Sequence, residues 1–164
     1  MKKIISSIPY LVAFSVFVFA DQLSKIAAIA HLKNQPDIVL IKNILRFQYL
    51  ENKGAAWGIF QGHTWLFSLI TIFIMSMIVF FFIKMPYQKK FIPLRIVLTI
   101  LAAGAIGNFI DRITAGYVVD FIYFEIINFP IFNVADIYVC ISVIILMYLL
   151  IFHYKEEELT WNKN

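Results

Sequence analysis

Apolar and polar residues alternate along the chain in blocks, not with the short period of a soluble fold. Four long apolar segments stand out, at about residues 8–28, 65–83, 92–112 and 131–152. Each has about the 20 residues that a helix rising 1.5 Å per residue needs to cross ~30 Å of hydrocarbon. The first is interrupted by Asp21, Gln22 and Lys25, and the second carries no charge. The third holds Ala102, Ala103, Gly104, Ala105 and Gly107, small residues that let helices approach closely. Between the first two segments lies a loop at about 30–62. Its stretches Ile38-Val39-Leu40-Ile41 and Leu45-Arg46-Phe47-Gln48-Tyr49-Leu50 favour strand by β-branched and aromatic content. Pro36 and Asn43 are turn positions. The pattern predicts an all-α membrane protein of one domain. It has four transmembrane helices and a small extracytoplasmic β-sheet between helices 1 and 2.

Composition supports this. The chain of 164 residues is 62% hydrophobic and 15% charged, against ~45–50% and ~25% in soluble domains. Its mean hydropathy is +0.83 and its pI about 9.2. The basic residues sit at the ends of apolar runs and form no stripe, which excludes a nucleic-acid partner. With the N-terminus inside, Lys2, Lys3, Lys84, Lys89, Lys90, Arg95, Lys155 and Lys163 face the cytoplasm, and Lys33, Lys42, Arg46 and Lys53 face out. Eight against four places both termini in the cytoplasm. Val18-Phe19-Ala20 resembles a signal-peptide cleavage site, but Asp21 and Lys25 continue the helical pattern instead of ending it. Trp57 and Trp65 read as interface anchors. Cys140 reads as a buried small hydrophobe, and the scattered histidines imply no metal or other cofactor.

The ionisable residues inside apolar stretches carry the chemistry, because charge near the bilayer centre costs about 3 kcal/mol or more per residue. Arg112 lies about 25 Å above Arg95 along helix 3, so Asn108, Asp111 and Arg112 sit at its outer end. Their i, i+3, i+4 spacing puts them on one face. Asp21 and Lys25 reach the outer end of helix 1. Asn133 and Asp136 open helix 4, with Asn133 a candidate N-cap. Asp120 belongs to the outer connection, and Asn52 leads out of the sheet. Polar groups thus gather at one depth, leaving the cytoplasmic half almost free of them. Each has a plainer reading. Asp21 with Lys25 forms a helix-end ion pair, Asp111 with Arg112 ties helix 3 to a neighbour, and Asp120 and Asp136 are separate interfacial carboxylates. If the last two lie within hydrogen-bonding reach, they share one proton, and such a pair can activate water against an amide. A small transporter or proton relay is the main rival, and a non-catalytic assembly subunit a third reading. Acidic groups at one depth, with no inverted repeat, count against the transporter.

The motifs at these residues resemble those of signal peptidase II, the bacterial prolipoprotein signal peptidase. Asp21-Gln22-Leu23-Ser24-Lys25 is similar to the family's DQxSK. Glu51-Asn52-Lys53-Gly54-Ala55-Ala56-Trp57 is similar to ENxGAAF/W, and the stretch Gly104 to Arg112 to GGAxGNxxDR. Val118-Val119-Asp120-Phe121 and Phe132-Asn133-Val134-Ala135-Asp136 are similar to VVDF and FNxAD. Ala103 replaces a family Gly, and Ile137 a common Ser. The resemblance implies that Asp120 and Asp136 form a catalytic dyad. It makes Asp21, Lys25, Asn52, Gly104, Asn108, Asp111, Arg112, Asn133 and Ala135 supporting residues. It also implies lipidated prolipoprotein substrates cut before a diacylglyceryl-modified cysteine, globomycin-type inhibitors, and a bacterial cell-membrane location with the site near the outer face. Membrane lipids are the other partners, and a monomer is expected.

Overall fold

The computed structural model describes residues 6–54 and 64–159. Helix α1 (Ile8–Leu32) starts with Pro9 in its first turn, where no intrahelical N–H is needed. A short hairpin follows, β1 (Ile38–Ile41) and β2 (Leu45–Asn52), closed by Asn43 at a φ of 59°. Helix α2 (Thr64–Lys84) leads through a 3₁₀ turn at Lys89–Phe91 into α3 (Ile92–Thr114), which also opens on a proline. Strand β3 (Val118–Phe124) and a second 3₁₀ turn at Glu125–Ile127 precede α4 (Val134–Tyr148). A π-helical turn at Leu149–His153 prolongs α4, and a final short helix, α5, covers Glu156–Leu159. Among the described residues, four helices are long and apolar enough to cross a membrane. The chain is a multi-pass membrane protein.

Helix α3 is the axis. It packs on α1, α2 and α4, and 61% of its most apolar stretch is buried, against 11–17% in the other three. Small residues make this contact possible. A Cβ on Gly104 would lie 2.6 Å from the Ala135 carbonyl oxygen and 2.9 Å from Val139 Cγ2. At the C-terminal end of α3 the Ala115 N–H donates to the Asp111 carbonyl and the Gly116 N–H to that of Arg112. Gly116, at a φ of 78°, turns the chain back into β3.

The three strands form one antiparallel sheet in the order β1-β2-β3. The third strand is a finding beyond the sequence reading, which confined the sheet to the loop between the first two spans. Here the segment after α3 pairs with β2, Leu50 opposite Asp120 and Asn52 opposite Val118. One face of the sheet packs Val119 and Phe121 against Ala28 and Leu32 at the C-terminal end of α1. The fourth span starts three residues later than composition suggests. Ile122 and Phe132 exchange backbone hydrogen bonds of 2.8 and 3.0 Å, so that stretch returns beside β3 before α4 begins. Cys140 is exposed on the apolar outside of the bundle, not buried. Trp65 is 61% exposed in the first turn of α2, and Trp57 lies outside the described residues.

Candidate active site

The site forms where the C-terminal ends of α1 and α3 and the N-terminal end of α4 meet β2 and β3. Asn133 is its hub. As N-cap of α4 it accepts from the Asp136 N–H at 3.0 Å, and the Asp136 carboxylate accepts from the Asn133 N–H at 3.1 Å. This capping box fixes Asp136 on the first turn. The Asn133 side-chain amide also donates to Asp120 Oδ1 at 2.6 Å and to Asn108 Oδ1 at 3.1 Å. Asp120 Oδ2 accepts from Asn52 Nδ2 at 2.8 Å, and Asp136 Oδ1 from Asn108 Nδ2 at 2.7 Å. Both carboxylates are therefore held by neutral amides and share one residue, Asn133. Asp120 is 2% exposed. Burial, and then the charge of Asp136, push its carboxyl up to about 7, against the opposing hydrogen bonds of Asn52 and Asn133.

Cations stand one step back. Lys25 Nζ binds Asp21 Oδ2 at 2.9 Å, Asp111 Oδ2 at 3.0 Å and Asn108 Oδ1 at 2.9 Å, all in a buried setting. Asp21 also accepts from the Ala135 N–H at 2.9 Å, tying α1 to the start of α4. Asp111 accepts from the Val119 N–H at 3.2 Å and so anchors β3 beside Asp120. Through its pair with Lys25, Asp111 ties α3 to its neighbour α1, the plainer reading of that residue. The Arg112 guanidinium donates to the Asn108 carbonyl at 3.3 Å and lies 5.1 Å from the Phe67 ring centre. Gly104 and Ala135 supply close backbone approach.

All eleven residues singled out from the sequence are thus at or beside one cluster. Two more belong to it. Gln22 donates to Asp111 Oδ1 at 3.0 Å and to the Asp21 carboxylate and the Gly107 carbonyl, each at 3.2 Å. Gly107 leaves room for Asp21, since a Cβ there would overlap the carboxylate. Their signal in the sequence is the motifs themselves: Gln22 lies in the stretch Asp21 to Lys25 and Gly107 in the stretch Gly104 to Arg112, both quoted for the resemblance.

Residues 13–152 match the family model of signal peptidase (SPase) II. The chain belongs to that family. It is 42% identical over 157 residues to the lipoprotein signal peptidase of Streptococcus agalactiae serotype V, covering 96% of both chains. The lipoprotein signal peptidase of Lactococcus lactis is 39% identical over 146 residues, 89% of this chain and 93% of that one. Two solved bacterial membrane enzymes share the fold. One is 36% identical with a TM-score of 0.74, over 90% of this chain and 92% of that one. The other is 35% identical with a TM-score of 0.76, over 89% and 94%. The signal peptidase II motifs are therefore the ones whose side chains meet in the cluster.

Proposed function

We propose that this signal peptidase II family member is an aspartic endopeptidase. It removes signal peptides from diacylglyceryl-modified prolipoproteins, cutting before the lipidated cysteine, with Asp120 and Asp136 as the catalytic pair. The observation that carries the reading is that two carboxylates joined through Asn133 take their direct hydrogen bonds from amides alone. A cation bonded directly to either would keep it ionised. Neutral donors fix both groups and let the pair retain one proton near neutral pH.

The chemistry follows from that shared proton. The charged carboxylate takes a proton from water as its oxygen attacks the scissile carbonyl carbon. The neutral one hydrogen-bonds the carbonyl oxygen. Collapse of the tetrahedral intermediate breaks the C–N bond, a proton passes to the leaving amine, and the pair again holds one proton. Asn52, Asn108 and Asn133 orient the carboxylates. Lys25, Asp21 and Asp111 orient Asn108 and β3. The protein acts in the bacterial cell membrane as a single polytopic domain, with both termini cytoplasmic and the pair near the outer face. A lipidated signal helix presents its cleavage site at that depth. Globomycin-type peptides would inhibit it by occupying the same place.

The test is cleavage of a lipidated prolipoprotein by the purified protein. Asp120→Asn and Asp136→Asn should each lose about a thousandfold or more while keeping a cooperative melt. Retained cleavage in either folded variant would refute the assignment.

A further inference from the structure

Strand β2 ends on Asn52, the residue that donates to Asp120 Oδ2. Its ladder with β3 closes there, with Glu51 opposite Val119 and Asn52 opposite Val118. The last rung of a sheet frays unless something beyond the ladder holds it. Successive side chains of a strand point to opposite faces. Asn52 and Leu50 therefore share a face with their partners Val118 and Asp120, and Asn52 reaches Asp120 along the diagonal. Tyr49 and Glu51 share the other face with Val119, and that face packs on Ala28 and Leu32 at the C-terminal end of α1. Whatever fixes Glu51 against α1 thus fixes the roll of the strand, and with it the aim of Asn52.

Lys33 supplies that hold. It is the first residue beyond α1, and it donates to Glu51 Oε1 at 2.8 Å; the Tyr49 hydroxyl donates to the same oxygen at 3.2 Å. The Lys33 ammonium lies 5.8 Å from the centre of the Tyr49 ring. The Tyr117 hydroxyl, one residue before β3, stands beside Glu51 and Tyr49. The bond from Lys33 holds the Glu51 carboxyl below its usual range, so the group is charged at neutral pH. An ion pair whose side chains are 41% and 33% exposed adds little to stability. What it adds is direction, since α1, β2 and the start of β3 meet one residue from Asn52. Asn52 Oδ1 accepts from the Gly54 N–H at 2.9 Å, which leaves its amide turned toward Asp120. We propose that Glu51 is a positioning residue for the cleavage, acting through Asn52, with Lys33 as its anchor on α1. That role rests on Asp120 belonging to the catalytic pair proposed above.

Steady-state cleavage of a lipidated prolipoprotein by the purified full-length protein tests this. Glu51→Ala should lower kcat about tenfold and leave KM within about twofold. Glu51→Gln keeps an acceptor for Lys33 and Tyr49 and should recover most of that loss. Lys33→Gln loosens the same link without touching the sheet, and should lower kcat about threefold even if Glu51→Ala does not fold. Asn52→Ala removes the donor itself and should cost at least as much as Glu51→Ala. On that background Glu51→Ala and Lys33→Gln should each change kcat by less than about twofold, because no donor is left to aim. A residue that merely supported the fold would cost the same factor with Asn52 present or absent. The positioning role is overturned by an undiminished loss on the Asn52→Ala background, by a rise in KM in place of a fall in kcat, or by full rates in both Glu51→Ala and Lys33→Gln. Asp120→Asn, run alongside, separates the two failures. If it cleaves at full rate, the catalytic pair is wrong and the role of Glu51 falls with it. An inert Asp120→Asn beside a fully active Glu51→Ala sinks the positioning role alone.

Discussion

Asp120 is nearly sealed from solvent, yet all its hydrogen-bond donors are neutral amides. Burial raises its carboxyl from 3.8 to about 7, and that sets two pH effects of known sign. The folded state holds the proton more tightly than the unfolded chain, so the group's contribution is fully present below about pH 4. It is lost as pH rises through about 7. Asp120→Asn removes this loss. Its melting point in detergent should exceed that of the unaltered protein at pH 8, by a few kcal/mol of stability at most, and match it at pH 4. Cleavage by the unaltered protein should fall on the alkaline side of about pH 7 as the shared proton leaves, and a flat profile to pH 9 would count against a shared proton. Lys25 works differently, since it neutralises Asp21 and Asp111 where neither meets water. Lys25→Met leaves two buried carboxylates facing each other without a cation, and should cost about 3 kcal/mol or more in chemical denaturation.

At the scale of elements, the approach of α3 to α4 decides where Asp136 stands. Gly104 faces the Ala135 carbonyl and Val139, so Gly104→Ala must push α4 away by several tenths of an ångström. Overpacking of this kind costs about 1–3 kcal/mol. The shift also stretches the bond from Asn108 to Asp136, so Gly104→Ala should lower kcat more than it raises KM. Gly116→Ala meets no neighbour and should cost only the strain of a positive φ, about 1 kcal/mol. The helices, the hairpin and the gathering of the polar residues at one end of the bundle were legible in the sequence. Each depends on local composition and on helical spacing, as with Asp21 and Lys25 or Asn133 and Asp136. Strand β3 was not. Val118 to Phe124 is apolar and β-branched, but its state depends on pairing with β2, some 70 residues earlier, and on Asp111 holding the Val119 N–H. The same pairing takes residues 131–133 out of the fourth span. Cys140 was misread because in a bilayer an apolar residue can face outward as readily as inward.

At the scale of the whole molecule, the bundle has two polar centres of different kinds. The one beside the sheet is a network of charges and amides shared by α1, α3, α4 and the sheet. The other is Arg95, which the positive end-charge pattern reads as a surface residue but which is buried. It donates to the carbonyls of Met85 at 2.8 Å and Phe82 at 3.4 Å, capping the last turn of α2 from α3. Helix α2 packs chiefly on α3, so this cap and the rings of Phe82 and Tyr87 over the guanidinium are its main polar attachment. Arg95→Leu orphans two carbonyls and removes both ring contacts, and should cost about 2–4 kcal/mol. The damage should stay local. Arg95 lies 13 residues, about 20 Å, from Asn108 along α3, and no bond of the network around Asn133 passes through it. Hydrogen exchange on the detergent-solubilised variant should therefore speed up in α2 and the link to α3, while α1, α4 and β3 keep their protection. The pH dependence of cleavage should also keep its shape. A change in that shape would mean that the two centres are coupled through α3, and that the placement of α2 reaches the aspartates after all.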